Sequence, residues 1–112
     1  MAQQEEKTRS SEGTKTQAAT APDGGPRFPL GRTLITPAAQ TQLDAQDIYA
    51  CLERHARGDW GECCPTDCKE NAEALTRYRR LFSVYRDRNG TKFWIITEAD
   101  RSATTVLLPE DY

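Results

Sequence analysis

Four side chains between positions 51 and 68 are of types a metal ion would take. Cys51 and His55 stand four residues apart on what reads as one helix. Cys64 and Cys68 are separated by three residues, with Cys63 beside them. Together they spell Cys-x3-His followed by Cys-x3-Cys, the ligand types of a structural zinc site, although two-residue gaps between paired cysteines are the commoner spacing. The competing reading is burial. Cys51, His55 and Cys68 fall on stripes expected to face a core, where Cys behaves as a small apolar residue. A cysteine paired with His55 could act as a nucleophile, but nothing marks one of the four as activated. The expectation is therefore no cofactor, with zinc as the alternative.

A second candidate is basic. Residues 77–92 carry Arg77, Arg79, Arg80, Arg86, Arg88 and Lys92 against the single acid Asp87, with Tyr78, Phe82, Tyr85, Phe93 and Trp94 in and beside the run. Cations interleaved with aromatic rings can hold phosphates and stack bases, which nominates Arg77, Arg80, Tyr85, Arg86, Arg88 and Lys92 as a nucleic-acid surface. Residues 44–73 are the reverse, with eight acids against three bases. Opposite charge on two halves also suits protein contacts or self-association. The plainer reading of the cluster is a solvated helix end, where Arg suits the macrodipole, followed by core aromatics.

Two smaller features complete the set. Asp59 and Trp60 lie between Gly58 and Gly61, where they could make a specific contact, or where the Trp could plug two helices together. Glu98, Asp100, Arg101 and Ser102 gather at a turn, where carboxylates could do acid–base work or simply bond their own backbone. No Gly-rich phosphate loop and no Gly-x-Ser-x-Gly elbow is present. The lone His removes mechanisms that need two.

These residues must be positioned by one small domain, since 112 residues with a net charge of −2 do not supply two cores. Residues 1–30 are rich in Gln, Thr, Ser, Ala, Gly and Pro, with four acids balancing four bases, and read as a disordered tail, over at least 1–27. Residues 31–112 hold the single domain. A β-branched strand over 32–36 leads to Thr36-Pro37, the N-cap and first residue of a short helix over 37–43. Asp44 and Asp47 open a second helix to about Arg57, with Ile48, Cys51, Leu52 and His55 on one stripe and Gly58 ending it. Pro65-Thr66-Asp67 opens a third, with Cys68, Ala72 and Leu75 on one stripe, to about Arg80. The period then changes. Strands over 81–86 and 91–97 flank Asn89-Gly90, which suits a two-residue type I′ hairpin pairing Arg86 with Phe93 and Tyr85 with Trp94. A further turn leads to a strand over 103–108. The expected fold is α+β: a short N-terminal strand, two to three helices, then a three-stranded antiparallel β-meander, with helices packed on one sheet face. Alternation sends Phe93 and Ile95 to one face, and Trp94 and Ile96 to the other. The second face then needs the tail, the short first helix, a second copy or another molecule to cover it. This makes Trp94 and Ile96, with Asp59 and Trp60, the candidate interaction surface.

No run approaches the roughly 20 apolar residues of a membrane span, and the first residues lack the apolar stretch of a signal peptide. A cytoplasmic chain with reduced thiols and no membrane association is expected. The run Arg54-His55-Ala56-Arg57-Gly58-Asp59-Trp60-Gly61-Glu62, followed by Cys64, Asp67, Glu70 and Asn71, resembles a family of small uncharacterised bacterial proteins. The ending Trp94 to Ser102, then Thr104 to Tyr112, resembles the same family. These are labelled plasmid-related proteins and sometimes restriction-system subunits. The resemblance implies a mobile-element setting and no catalytic residue. His55, Trp60 and Cys64 fit its pattern, while Cys51, Cys63 and Cys68 depart from it. In topology the chain also resembles ribosome-dependent ribonuclease toxins, in which Tyr85, Arg86, Arg88, Lys92 and Tyr112 would be the corresponding kinds of residue. The leading expectation is a non-enzymatic accessory protein acting through protein contacts, with an unknown partner or as a homodimer. An RNA-binding or RNA-cleaving domain is the alternative, and a zinc-stabilised domain the third.

Overall fold

A computed structural model describes residues 25–112. The elements run β1 (Arg32–Ile35), α1 (Pro37–Gln42), α2 (Ala45–Ala56), α3 (Pro65–Arg77), β2 (Leu81–Arg86), β3 (Lys92–Thr97), β4 (Ala103–Leu107) and a closing 3-10 turn (Pro109–Asp111). Each of the first two helices starts where a capping side chain can satisfy its free amides. The Thr36 hydroxyl accepts from Ala39 N–H at 3.2 Å, and the Asp44 carboxylate from Asp47 N–H at 3.1 Å. The expected stripe on α2 is the buried one, with Ile48, Cys51, Leu52 and His55 all inside.

The α+β class holds, but the three-stranded antiparallel meander is corrected. The sheet has four strands in the order β1-β4-β3-β2, with β1 parallel to β4 and the other pairs antiparallel. The reason lies in the path of the chain. β4 ends the meander with one edge open, and the Arg32 and Thr36 amides close it by donating to the Ser102 and Val106 carbonyls, each at 3.0 Å. The three helices then carry the chain across to the far edge, where β2 begins.

The hairpin register is corrected by one residue. Arg86 pairs with Lys92, Tyr85 with Phe93 and Val84 with Trp94. Gly90 alone takes a left-handed φ, of 85°, and Asn89 stays outside that region, so a type I′ turn is not made. Gly90 N–H donates to the Asp87 carbonyl, and the Asp87 carboxylate accepts from Asn89 and Thr91 N–H, which stretches the loop by one residue. A second Asp87 oxygen accepts from Asp44 N–H, tying this turn to the start of α2. The slip matters because the side-chain period is two. It leaves Tyr85, Phe93, Ile95 and Val106 together beneath α1 and α2, with Ile48, Leu52 and Leu108. Fully burying one such side chain contributes roughly 1.5–3 kcal/mol.

The third helix differs from its expected form at both faces and at its end. Asn71 and Ala74 are its buried residues, while Ala72 is exposed. Cys63 and Cys68 occupy the positions just before the N-cap and at the fourth helical residue, where apolar side chains meet, and both pack on the second cluster of Phe28, Trp60, Ala74 and Leu81. The helix ends at Arg77, with Tyr78 in the left-handed region at φ 54°. Of the expected tail, 1–24 lies outside the described residues. Residues 25–30 join the packed domain: Phe28 is buried, Arg27 N–H donates to the Ala56 carbonyl at the end of α2, and the Leu30 carbonyl accepts from Thr104.

Two glycines offer a graded check. A Cβ at Gly90 would meet nothing within 4 Å, so Gly90→Ala carries only the left-handed strain, about 1–2 kcal/mol. A Cβ at Gly61 would lie 2.0 Å from the Val84 carbonyl oxygen, because the Trp60–Glu62 loop bonds directly to β2. Gly61→Ala is expected to lower the urea midpoint well beyond the Gly90→Ala shift, and equal shifts would contradict this packing.

Candidate interaction surface

Cross-strand pairing sorts the sheet into two faces. Leu81, Ser83, Tyr85, Phe93, Ile95, Thr97, Thr104 and Val106 turn toward the helices and are buried. Phe82, Val84, Trp94 and Thr105 turn the other way and are half-buried, together with Leu34, which is 39% exposed. Ile96 and Leu107 lie on this second face and are buried within it. Among the described residues no α-helix crosses it. The cover comes from the chain end: Asp111 accepts from the Thr36 hydroxyl at 2.7 Å and from Leu108 N–H at 3.1 Å, which sets Tyr112 against Trp94 with ring centroids 5.6 Å apart. Phe82 meets Trp94 edge-on at 5.2 Å. The result is a row of three rings, Phe82, Trp94 and Tyr112, on a face whose last ring is 73% exposed.

The predicted cationic cluster is divided by the fold. Arg80 and Arg86 border the open face, Arg80 bonding the Tyr112 hydroxyl and lying 3.7 Å from Glu98, Arg86 pairing with Glu62 at 3.1 Å. Arg88 points toward α2 and pairs with Asp44 and Asp47. Its guanidinium holds the Asp47 carboxyl below the usual carboxylate range. Arg77 ends α3, and Lys92 is exposed at the start of β3. Tyr85 is removed from any surface: it is 1% exposed, its hydroxyl donates to the Asp59 carbonyl, and burial raises its pKa. Of the remaining interaction residues, Trp60 is a plug, 9% exposed and packed against the rings of Phe28 and His55, whereas Asp59 is exposed and held by Arg54 at 2.8 Å. Trp94 and Ile96 do share the open face.

The four nominated metal ligands are not brought together. Cys51 belongs to the core under α2, Cys64 is the exposed N-cap of α3, and Cys68 packs on the second cluster. Among the described residues no group of three or more His, Cys, Asp or Glu converges. His55 is fully buried and both ring nitrogens are engaged, Nε2 with the Thr97 hydroxyl at 2.9 Å and Nδ1 with the Ser83 hydroxyl. The direction of this chain can be deduced. The Thr104 hydroxyl has to donate to the Leu30 carbonyl (2.7 Å), so its oxygen accepts from Thr97 (2.7 Å). Thr97 then accepts from Nε2–H, and Nδ1 accepts from Ser83. The imidazole is neutral and carries its proton on Nε2. Although Ser83 and His55 have the makings of a nucleophile and base, both are fully buried. Cys63 is also unsuited to attack, because burial pushes its thiol up to about 11.

Two structural side chains gave little warning in the sequence. Arg101, 8% exposed and left-handed at φ 63°, donates to the carbonyls of Ala74, Arg79, Glu98 and Ala99 and stacks between Phe28 and Tyr78. It braces the end of α3, where Tyr78 takes the left-handed position a glycine usually fills. Asn71 mimics a strand: its Nδ2 donates to the Phe82 carbonyl at 2.6 Å and its Oδ1 accepts from Phe82 N–H at 3.1 Å. With the Trp60–Glu62 loop on Val84, this seals the outer edge of β2. In the sequence Phe82 stood out only as an aromatic of the basic run and Tyr112 only through the topological resemblance, and neither signal placed them beside Trp94. Comparison with protein-family models, curated proteins and solved structures finds no match to this chain.

Burial, and then the nearby Arg101 guanidinium, push the His55 pKa from 6.5 down to about 3. The folded state therefore refuses a proton that the unfolded chain accepts, and this group's stabilisation is intact above about pH 6.5 and declines as pH falls toward about 3. Urea unfolding of the protein between about pH 7 and about pH 4 should show a slope that His55→Gln reduces, by up to about 1.4 kcal/mol per pH unit. An unchanged slope in the variant would mean that His55 is not held neutral.

Proposed function

We propose that this chain is a non-enzymatic interaction module that works through protein contacts made by the open sheet face. The observation that carries the reading is the apolar band of Leu34, Phe82, Val84 and Trp94 on the side of the sheet that no α-helix among the described residues covers. Half-exposed rings over buried Ile96 and Leu107 are the anatomy of an interface centre, with Lys92 and the ion-paired Arg80 and Arg86 at its rim. An acidic-rimmed apolar surface on a partner protein fits that face. The described residues bring together no accessible nucleophile–base pair, and the one buried Ser–His pair is held inside the core. The resemblance of residues 54–71 and 94–112 to plasmid-related proteins supports a bacterial mobile-element setting, in the cytoplasm.

The RNA alternative has one observation in its favour, the aromatic row with Lys92 at its end. Against it, Tyr85 is in the core and Arg80, Arg86 and Arg88 are engaged with acids. The two readings part in one set of measurements. Light scattering and affinity capture from a bacterial lysate should give a defined protein complex that Trp94→Ser with Phe82→Ser removes, while circular dichroism stays unchanged. A compact monomer with no captured protein would overturn the reading. Anisotropy of labelled single-stranded RNA that survives physiological salt would assign the face to RNA instead.

A further inference from the structure

The two edges of the sheet are treated differently. The β2 edge is sealed by Asn71 and by the Trp60–Glu62 loop. Among the described residues the β1 edge is open. Because the amides of Arg32 and Thr36 turn inward to β4, alternation turns the amides and carbonyls of Thr33 and Ile35 outward, and no described residue bonds to them. Beside this edge, between β1 and α2, runs a mainly apolar groove of about 590 Å³, with Phe28, Leu30, Leu52 and Ala56 among its lining residues and the 66% exposed Tyr49 on its rim. The side chain of Thr33 shares a face with buried Thr104, so the groove continues the helix-covered face of the sheet and not the open one.

From this juxtaposition we propose that the β1 edge and the adjoining groove form a peptide-binding site, which takes an extended acidic segment of a partner protein as a fifth strand. The main chain of such a segment would pair with Thr33 and Ile35, and every second side chain would enter the groove, the usual division of labour when a strand is added to a sheet. The groove calls for apolar anchors. The charge around it calls for acidic flanks: Arg57 lines it, Arg27 sits between its lining residues Pro26 and Phe28, and neither has an ion pair among the described residues. Glu53 is the only acid in the lining. Residues 1–24 of the chain itself match this poorly, since they hold no large apolar side chain besides Met1 and carry three bases against four acids. The site is separate from the open face and does not rest on the function proposed for it.

The test uses the full chain and a fluorescent peptide of about eight residues alternating Ile or Phe with Thr between paired Glu flanks, a length that matches one strand. Saturable binding is expected, weakening as salt rises. Methylating the peptide amides that face β1 should lower affinity at least about fivefold, and Thr33→Pro, which removes one outward amide at an edge where Pro is tolerated, should do the same. Tyr49→Ala should weaken binding with no change in the fold, and Trp94→Ser should leave it unchanged. Absence of saturable binding would overturn the proposal, as would binding indifferent to amide methylation. The methylated peptide keeps the test decisive if Thr33→Pro does not fold.

Discussion

A histidine with no exposed surface, bonded on both sides by hydroxyls, constrains most of this molecule. The chain of donors from Ser83 through His55, Thr97 and Thr104 to the Leu30 carbonyl crosses β2, α2, β3, β4 and the segment that leads into β1. Each hydroxyl has one proton, so every link points the same way, and removing any one leaves a buried polar group unpaired at a cost of about 1–3 kcal/mol. Ser83 and Thr97 have to lie on the helix-facing side for this to form. That requirement agrees with the hairpin register set by the Asp87 turn, and a slip of one residue would put the two hydroxyls on opposite faces of the sheet.

From that register follow the two surfaces. With Ser83, Tyr85, Phe93 and Ile95 committed to the helices, Phe82, Val84 and Trp94 are left facing outward, and among the described residues it is the chain end at Tyr112 that reaches back over them. Arg101 and Asn71 then close what would otherwise be open polar ends. One collects the carbonyls at the end of α3, and the other satisfies both main-chain groups of Phe82 at the β2 edge. Among the described residues nothing equivalent covers Thr33 and Ile35, which leaves one sealed edge and one open edge.

Local signals were readable where a single short-range interaction decides the outcome. Thr36-Pro37 and Asp44 starting helices, the Ile48–Cys51–Leu52–His55 stripe and the left-handed Gly58 all depend on contacts within a turn or two of the chain. Asn89-Gly90 misled because the flanking Asp87 offers its carboxylate to two loop amides and so favours a longer turn. The end of α3 misled because Tyr78, not a glycine, makes the left-handed turn there, and the Arg101 guanidinium that braces it arrives from the turn between β3 and β4. The cysteines and His55 had the spacing of a metal site and the stripe of a core. Spacing along a chain does not say which neighbours arrive from elsewhere, and here Ser83 and Thr97 occupy both His55 nitrogens.

By itself the sequence determined the α+β class, the three helix starts and the alternation that makes a two-faced sheet, since all of these are set by local periodicity and capping. The tertiary structure alone decided that β1 joins the sheet beside β4, that Phe28 belongs to the core, that Tyr85 is internal, and that Arg88 is spent on α2 while Tyr112 returns to Trp94. Each of these is a pairing between residues far apart in the chain. Which partner satisfies a buried polar group or an open strand edge depends on what the fold brings within bonding distance, and no pattern of neighbouring residues encodes that.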